Sequence, residues 1–298
     1  FNKYSDSEEI SMIYVSSSCV KKHNIAGVIQ HLAESGIRNI ELSGGTDYYD
    51  SIEHDLTVLK QKYHLQYACH AYFPPPKIPF VVNLASCNDW IYQQSINHYI
   101  HCIEMLKRID CKILSIHAGF LIEIGTDEIG KKLSSKIIYD EDKAYDRFCS
   151  AYEQIAGLCI ENDIAFFLEN NVLSAENYAE FDCHNYLMMT DYASIMKMKK
   201  QLEFNLLLDL GHLRVSSNTL KLSFVKECKE LEKYIKWLHI SENNGIVDEH
   251  KPLRDDSEIL NVLGKMNCPD INITLETVGS IEEILSSITM IEKRKSCF

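Results

Sequence analysis

Nine residues able to bind a metal or carry a proton follow short apolar runs at regular intervals along the chain. His70 ends "YACH" and His117 ends "LSIH". Glu169 sits in "FFLEN", while Asp209 and His212 share "LLLDLGH". His239 lies in "WLHISENN", Asp248 and His250 follow in "DEH", and Glu276 sits in "ITLET". One histidine after an apolar run is ordinarily a hydrogen-bonded core or rim residue. Carboxylates gathered at one place, however, would repel and resist ionisation, and a divalent cation removes that conflict. Carboxylate oxygen together with imidazole nitrogen suits zinc, manganese, iron or cobalt rather than calcium.

The elements that must position these residues alternate. Apolar runs at Ile13 to Val20, Asn39 to Ser43, Gln66 to His70, Lys112 to His117, Ile164 to Glu169, Phe204 to Asp209, Tyr234 to Ile240 and Ile271 to Glu276 read as strands. Helical spacing covers Ile25 to Ser35, Asn88 to Arg108, Ala144 to Glu161, Leu220 to Glu232 and Ile281 to Lys293. Strands alternating with helices predict βαβ units and a parallel sheet. Eight of them within 298 residues predict a single (β/α)8 TIM barrel spanning 1–298, since such barrels take about 250 residues. A doubly wound sheet is the competitor, but neither G-x-G-x-x-G nor a P-loop is present. In a barrel, the C-terminal strand ends open on one mouth, where active sites form. The long connections Ala71 to Ser86, with four of the six prolines, and Gly119 to Asp142 would border it.

Composition narrows the function classes. The chain is 46% hydrophobic and 24% charged with only 12 Gly and 6 Pro, which excludes disorder, collagen-like repeats and a small disulfide scaffold. No apolar run approaches the roughly 20 residues of a membrane span, and the start does not read as a signal peptide. The net charge of −13 opposes non-specific attraction to nucleic acid or anionic membrane. Eleven cysteines without a C-x-x-C pair predict a reducing cytoplasm and mostly buried thiols.

The chain resembles the xylose isomerase-like barrel superfamily, which includes sugar isomerases and epimerases and the endonuclease IV family. The likeness runs from "GIRNIELSGG" to "ITLET" and rests on "LEN", "LDLGH", "HISENNGIVDEHKPL" and "LET", in that order. For an epimerase-like member it implies one metal held by Glu169, Asp209, His239 and Glu276. It also implies that Glu169 and Glu276 transfer protons on opposite faces of a sugar, sugar phosphate or polyol through a metal-stabilised enediolate. His212 would bond a substrate hydroxyl. For an endonuclease IV-like member it implies three zinc ions: His70, His117 and Glu169 at one, Glu169, Asp209, His239 and Glu276 at a second, and His212, Asp248 and His250 at a third. That set would cleave a phosphodiester such as an abasic site.

The expectation is the isomerase or epimerase with one divalent ion, zinc, manganese or cobalt, the ligand types sufficing for three. The phosphodiesterase is the alternative, and a non-catalytic sugar-binding barrel the second. Recognisable basic or DNA-wedging residues are few, and "RDDSE" at Arg254 to Glu258 replaces the usual glycine-rich stretch. Arg214, Lys251 and Arg254, with Lys77 the other nearby cation, are candidates for a substrate phosphate. Tyr72, Phe73 and Trp90 are candidates for an apolar wall. Glu41 reads as either a mouth residue or part of the barrel structure. Cys69 must face away from His70, because side chains alternate along a strand. A small-molecule partner is expected, nucleic acid is disfavoured, no membrane is expected, and a homo-oligomer stays open.

Overall fold

The computed structural model describes residues 11–135, 137–267 and 270–295. Its strands are β1 (Ile13–Ser16), β2 (Asn39–Leu42), β3 (Gln66–His70), β4 (Ile113–His117), β5 (Ala165–Glu169), β6 (Asn205–Asp209), β7 (Ile235–Ile240) and β8 (Asn272–Leu275). All neighbours pair in parallel and β8 returns to β1, closing the barrel. Around it run α1 (Ile25–Glu34), α2 (Ile52–Tyr63), α3 (Asp89–Arg108), α4 (Glu141–Glu161), α5 (Ala175–Glu180), α6 (Tyr192–Lys199), α7 (Leu210–Thr219), α8 (Phe224–Leu231), α9 (Glu258–Leu263) and α10 (Ile281–Lys295). The (β/α)8 architecture is therefore the one the alternation predicts. Among the described residues no helix is long and apolar enough to cross a membrane.

Local chemistry sets many of the boundaries. Asn24, Asn88, Asp140, Ser174, Asp191, Ser223 and Ser257 each accept backbone N–H bonds as helix N-caps. Asp140 starts α4 at Glu141, three residues before the apolar spacing signals it. The first apolar run is longer than its strand, because Ser17–Cys19 turns into a 3-10 helix below the Ser16 cap.

The interior is layered, as alternate residues on each strand point inward. Tyr14, Ala68, Phe167, Leu207 and Trp237 form an apolar plug separate from the main core between barrel and helices. Glu41, Ser115 and Thr274 pair in register with Ala68, Phe167 and Tyr14 of this plug. His70, Glu169 and His239 come next, two residues beyond Ala68, Phe167 and Trp237. Asp209, two residues beyond Leu207 and in register with His239, shares that layer, while His117 and Glu276 stand at the rim. The barrel thus turns from apolar to ionisable within two steps along its axis.

Of the nine cysteines described, all are free thiols and six are buried. Cys268 and Cys297 lie outside the described residues. Cys69 faces the helix layer, with its sulfur 3.7 Å from that of Cys102.

Candidate metal centre

The strand ends bring the nine residues into one continuous cluster. Glu169 lies at its middle, fully buried. His70 Nε2 is 3.2 Å from Glu169 Oε2, and His117 Nδ1 is 3.4 Å from the same oxygen. Glu169 Oε1 lies 3.5 Å from both His212 Nδ1 and His239 Nδ1. His239 Nδ1 is also 3.6 Å from Glu276 Oε2. Asp248 Oδ2 stands between His212 Nε2 at 3.2 Å and His250 Nε2 at 2.8 Å.

Four of the five imidazoles have one ring nitrogen held by an acceptor, which leaves the other facing the carboxylates. His212 Nδ1 donates to the Asn170 carbonyl at 2.9 Å, and His250 Nδ1 to the Glu276 carbonyl at 3.1 Å. His70 Nδ1 donates at 2.9 Å to Ser115 Oγ, whose own proton goes to the Cys69 carbonyl. His239 Nε2 donates to Glu41 Oε2 at 3.1 Å. Such outer partners fix the tautomer in which imidazole binds a metal. Asp209 is held as well. Its Oδ1 caps α7 by accepting from His212 N at 2.7 Å, and Asn170 brackets its backbone N–H and carbonyl.

A cation fits the atoms left over. Glu169 Oε1 and Oε2, Asp209 Oδ2, His239 Nδ1 and His117 Nδ1 are buried without a hydrogen-bond partner. Desolvation of such groups is costly unless something neutralises them. Three groupings have ligand atoms mutually within 4.8 Å: His70, His117 and Glu169; Glu169, Asp209 and His239; and His212, Asp248 and His250. A fourth is formed by Glu41, His70 and His239. The donor set is nitrogen and oxygen only, which suits zinc, manganese or cobalt.

The electrostatics show the same competition. Burial opposes charge on His212 and His239, yet the neighbouring carboxylates outweigh it and raise both imidazoles well above their ordinary value. Burial raises the Asp209 carboxyl, and Glu169 and Asp248 add to it. Burial likewise works against ionised Glu169, but His117, His70 and His239 bring its carboxyl below the usual range.

The other predicted site residues scatter. Arg214 is paired with Glu242 and Glu258, Lys251 with Glu249, and Arg254 with Asp256. Lys77 pairs with Asp50. Of the aromatic wall, only Tyr72 adjoins the cluster, with its ring 5.9 Å from that of His117. Phe73 is core, and Trp90 is exposed against Phe80. Glu41 does enter the site. The supporting residues Ser115, Asn170 and Thr274 have no sequence signal beyond a polar position inside a strand run, or the Asn that follows Glu169.

A sequence model of a family described as xylose isomerase-like TIM barrel matches residues 29–294. An uncharacterized protein of Methanocaldococcus jannaschii is 22% identical over 262 residues, which is 88% of this chain and 85% of that protein. The crystal structure of a D-tagatose 3-epimerase-like protein matches with a TM-score of 0.71 at 18% identity, covering 96% of this chain and 97% of its own. Endonuclease IV from Thermus thermophilus matches with a TM-score of 0.56 at 12% identity, covering 96% and 99%. At these identities the structural likenesses establish a shared fold.

Proposed function

The chain belongs to the xylose isomerase-like TIM barrel family, and from that premise we propose that it is a metal-dependent isomerase or epimerase of a sugar, sugar phosphate or polyol. One observation carries this reading: the buried carboxylates of Glu169 and Glu276 approach the same unpartnered His239 Nδ1, at 3.5 and 3.6 Å. Glu169, Asp209, His239 and Glu276 would hold one divalent ion, and the whole chain would act as one domain. When bound, that ion supplies Lewis-acid polarisation of adjacent carbonyl and hydroxyl oxygens. Glu169 then takes a proton from the hydroxyl-bearing carbon next to the carbonyl, and Glu276 returns one from the opposite face, or the reverse. His212 bonds a substrate hydroxyl, and Tyr72 covers the side of the mouth next to His117. The likeness to a D-tagatose 3-epimerase-like protein points the same way.

A second reading is favoured by a specific observation. His212, Asp248 and His250 form a ligand group that a one-ion isomerase does not need, and Glu169 is shared between two further groups. Three zinc ions there would suit hydrolysis of a phosphodiester, as in endonuclease IV.

Metal content by elemental analysis after loading with zinc or manganese separates the two, followed by assay of each implied substrate. About one tight ion per chain, with solvent deuterium entering a ketose substrate, supports the isomerase. Two or three zinc ions with cleavage of abasic DNA would replace it by the phosphodiesterase. Binding of sugar without metal and without exchange would leave a binding protein.

A further inference from the structure

His239 is the one imidazole of the cluster whose outer nitrogen meets a side-chain carboxylate rather than a carbonyl or hydroxyl, and that carboxylate comes from β2, across β8 and β1 from the His239 strand. Glu41 on β2 is almost fully buried, and its Oε2 lies 3.1 Å from His239 Nε2. The same oxygen accepts from Thr274 Oγ1 on β8, also at 3.1 Å. Thr274 in turn accepts from the indole Nε1 of Trp237 on β7, at 2.9 Å.

These contacts have a direction. An indole N–H can only donate, so Thr274 Oγ1 is an acceptor toward Trp237. The acceptor the structure gives the Thr274 hydroxyl proton is Glu41 Oε2. As a carboxylate Glu41 can only accept, so Oε2 takes the Thr274 proton, and the proton it shares with His239 is carried by Nε2. Nδ1 is then the ring atom free to bind a cation, and it faces Glu169 Oε1 and Glu276 Oε2.

We propose that the chain Trp237 to Thr274 to Glu41 fixes the ring orientation and tautomer of His239, making Glu41 and Thr274 positioning residues for the metal centre. This rests on the metal reading given above, because it assigns a purpose to the freed Nδ1. The placement explains why ionisable residues sit directly on the apolar plug. Trp237 is at once the top of that plug and the first donor of the polar chain, so the orientation of His239 is anchored in the barrel floor.

Two measurements test it. The first is zinc affinity by competition with a chromophoric chelator. Outer partners of a metal-binding histidine are worth about 10–100-fold in affinity. Glu41→Ala is expected near the upper end, and the same-sized Glu41→Gln, which cannot collapse the site, near ~10-fold. Thr274→Val weakens binding, and Thr274→Ser, which keeps the hydroxyl, restores it. A role confined to satisfying the buried indole would lower thermal stability in Thr274→Val and leave zinc affinity unchanged, which would overturn the proposal. So would zinc binding at wild-type strength in Glu41→Gln and Glu41→Ala.

The second measurement is the proton spectrum of histidine-labelled protein with and without zinc. The His239 Nε2 proton, held by a carboxylate, is expected far downfield and lost in Glu41→Ala. Its persistence in that variant would overturn the chain of donors whether or not zinc binds. Failure of wild-type protein to bind zinc overturns the metal reading instead, and the zinc-free spectrum still decides the hydrogen-bond chain.

Discussion

Arg214 Nη1 donates to Glu242 Oε1 at 2.7 Å, and its Nε donates to Glu258 Oε2 at 3.1 Å. The guanidinium thus spends its donors on the loop after β7 and on α9. Glu242 is buried, so removing its partner would leave a carboxylate uncompensated. Arg214→Ala is expected to cost about 3 kcal/mol in urea unfolding, with equal activity losses on phosphorylated and free sugars. A selective loss on phosphorylated substrate at unchanged stability would return Arg214 to phosphate binding. Glu169→Gln tests the chemistry itself. It keeps the size of the side chain but cannot accept a proton, so exchange at the substrate carbon should fall by at least ~100-fold. Unchanged exchange would end the two-carboxylate mechanism. The nine cluster residues were legible because strand ends converge in any barrel, whatever its details. Glu41 was legible as a candidate for the mouth but its partner was not, and Ser115 and Thr274 gave no signal, because each acts through a partner on another strand, and one sequence does not say which strand positions share a layer.

At the scale of elements, β4 and its following loop are set by how closely the backbone packs. A Cβ on Gly119 would lie 2.5 Å from Ala85 Cβ, 3.0 Å from Phe148 and 3.1 Å from Met188 Sδ. Gly119→Ala should therefore push the loop outward, costing about 1–3 kcal/mol in stability and loosening His117 two residues earlier. A melting temperature equal to wild type would show that the loop yields freely. Helix α3 carries a pH-dependent term. Burial, with His101 adding, lowers His98 to about 4 from its ordinary 6.5. The folded state therefore excludes a proton that the unfolded chain takes up. Stability is unaffected above pH 6.5 and falls as the pH drops toward 4, by up to about 3 kcal/mol. Unfolding at pH 7 and pH 5 should show this difference, and His98→Phe, beside Phe80 and Tyr99, should remove much of it. Equal slopes in the two proteins would refute the assignment. The strands were readable within a few residues because buried parallel strands are continuous apolar runs. Helices α2, α5, α6, α7 and α9 escaped the reading. Four of them span ten residues or fewer, α7 is mostly buried around its circumference, and the spacing on α2 is diluted by charge.

For the whole molecule, the cluster links strands β3 to β8 at one end of a closed barrel, and its ionisation state bears on the stability of all of them. Two agents can neutralise these carboxylates. Protons on His212 and His239 do so through the raised imidazoles, and a divalent cation does so by replacing those protons. Burial works against each imidazolium, whereas a cation would also engage the buried oxygens of Glu169 and Asp209 that have no hydrogen-bond partner. Binding to the folded state alone stabilises it by about 4 kcal/mol at a thousand times the dissociation constant. Chelation is therefore expected to lower the melting temperature on the order of 10 °C, with zinc, manganese or cobalt restoring it in proportion to affinity. Asp209→Asn, which keeps the α7 cap but cannot present a second anionic oxygen, should reduce the restored increment. If chelation and reloading leave the transition where it was, the histidine protons are the true counterions of the mouth. The barrel would then be a binding scaffold in which Glu169 and Glu276 are held permanently in ion pairs.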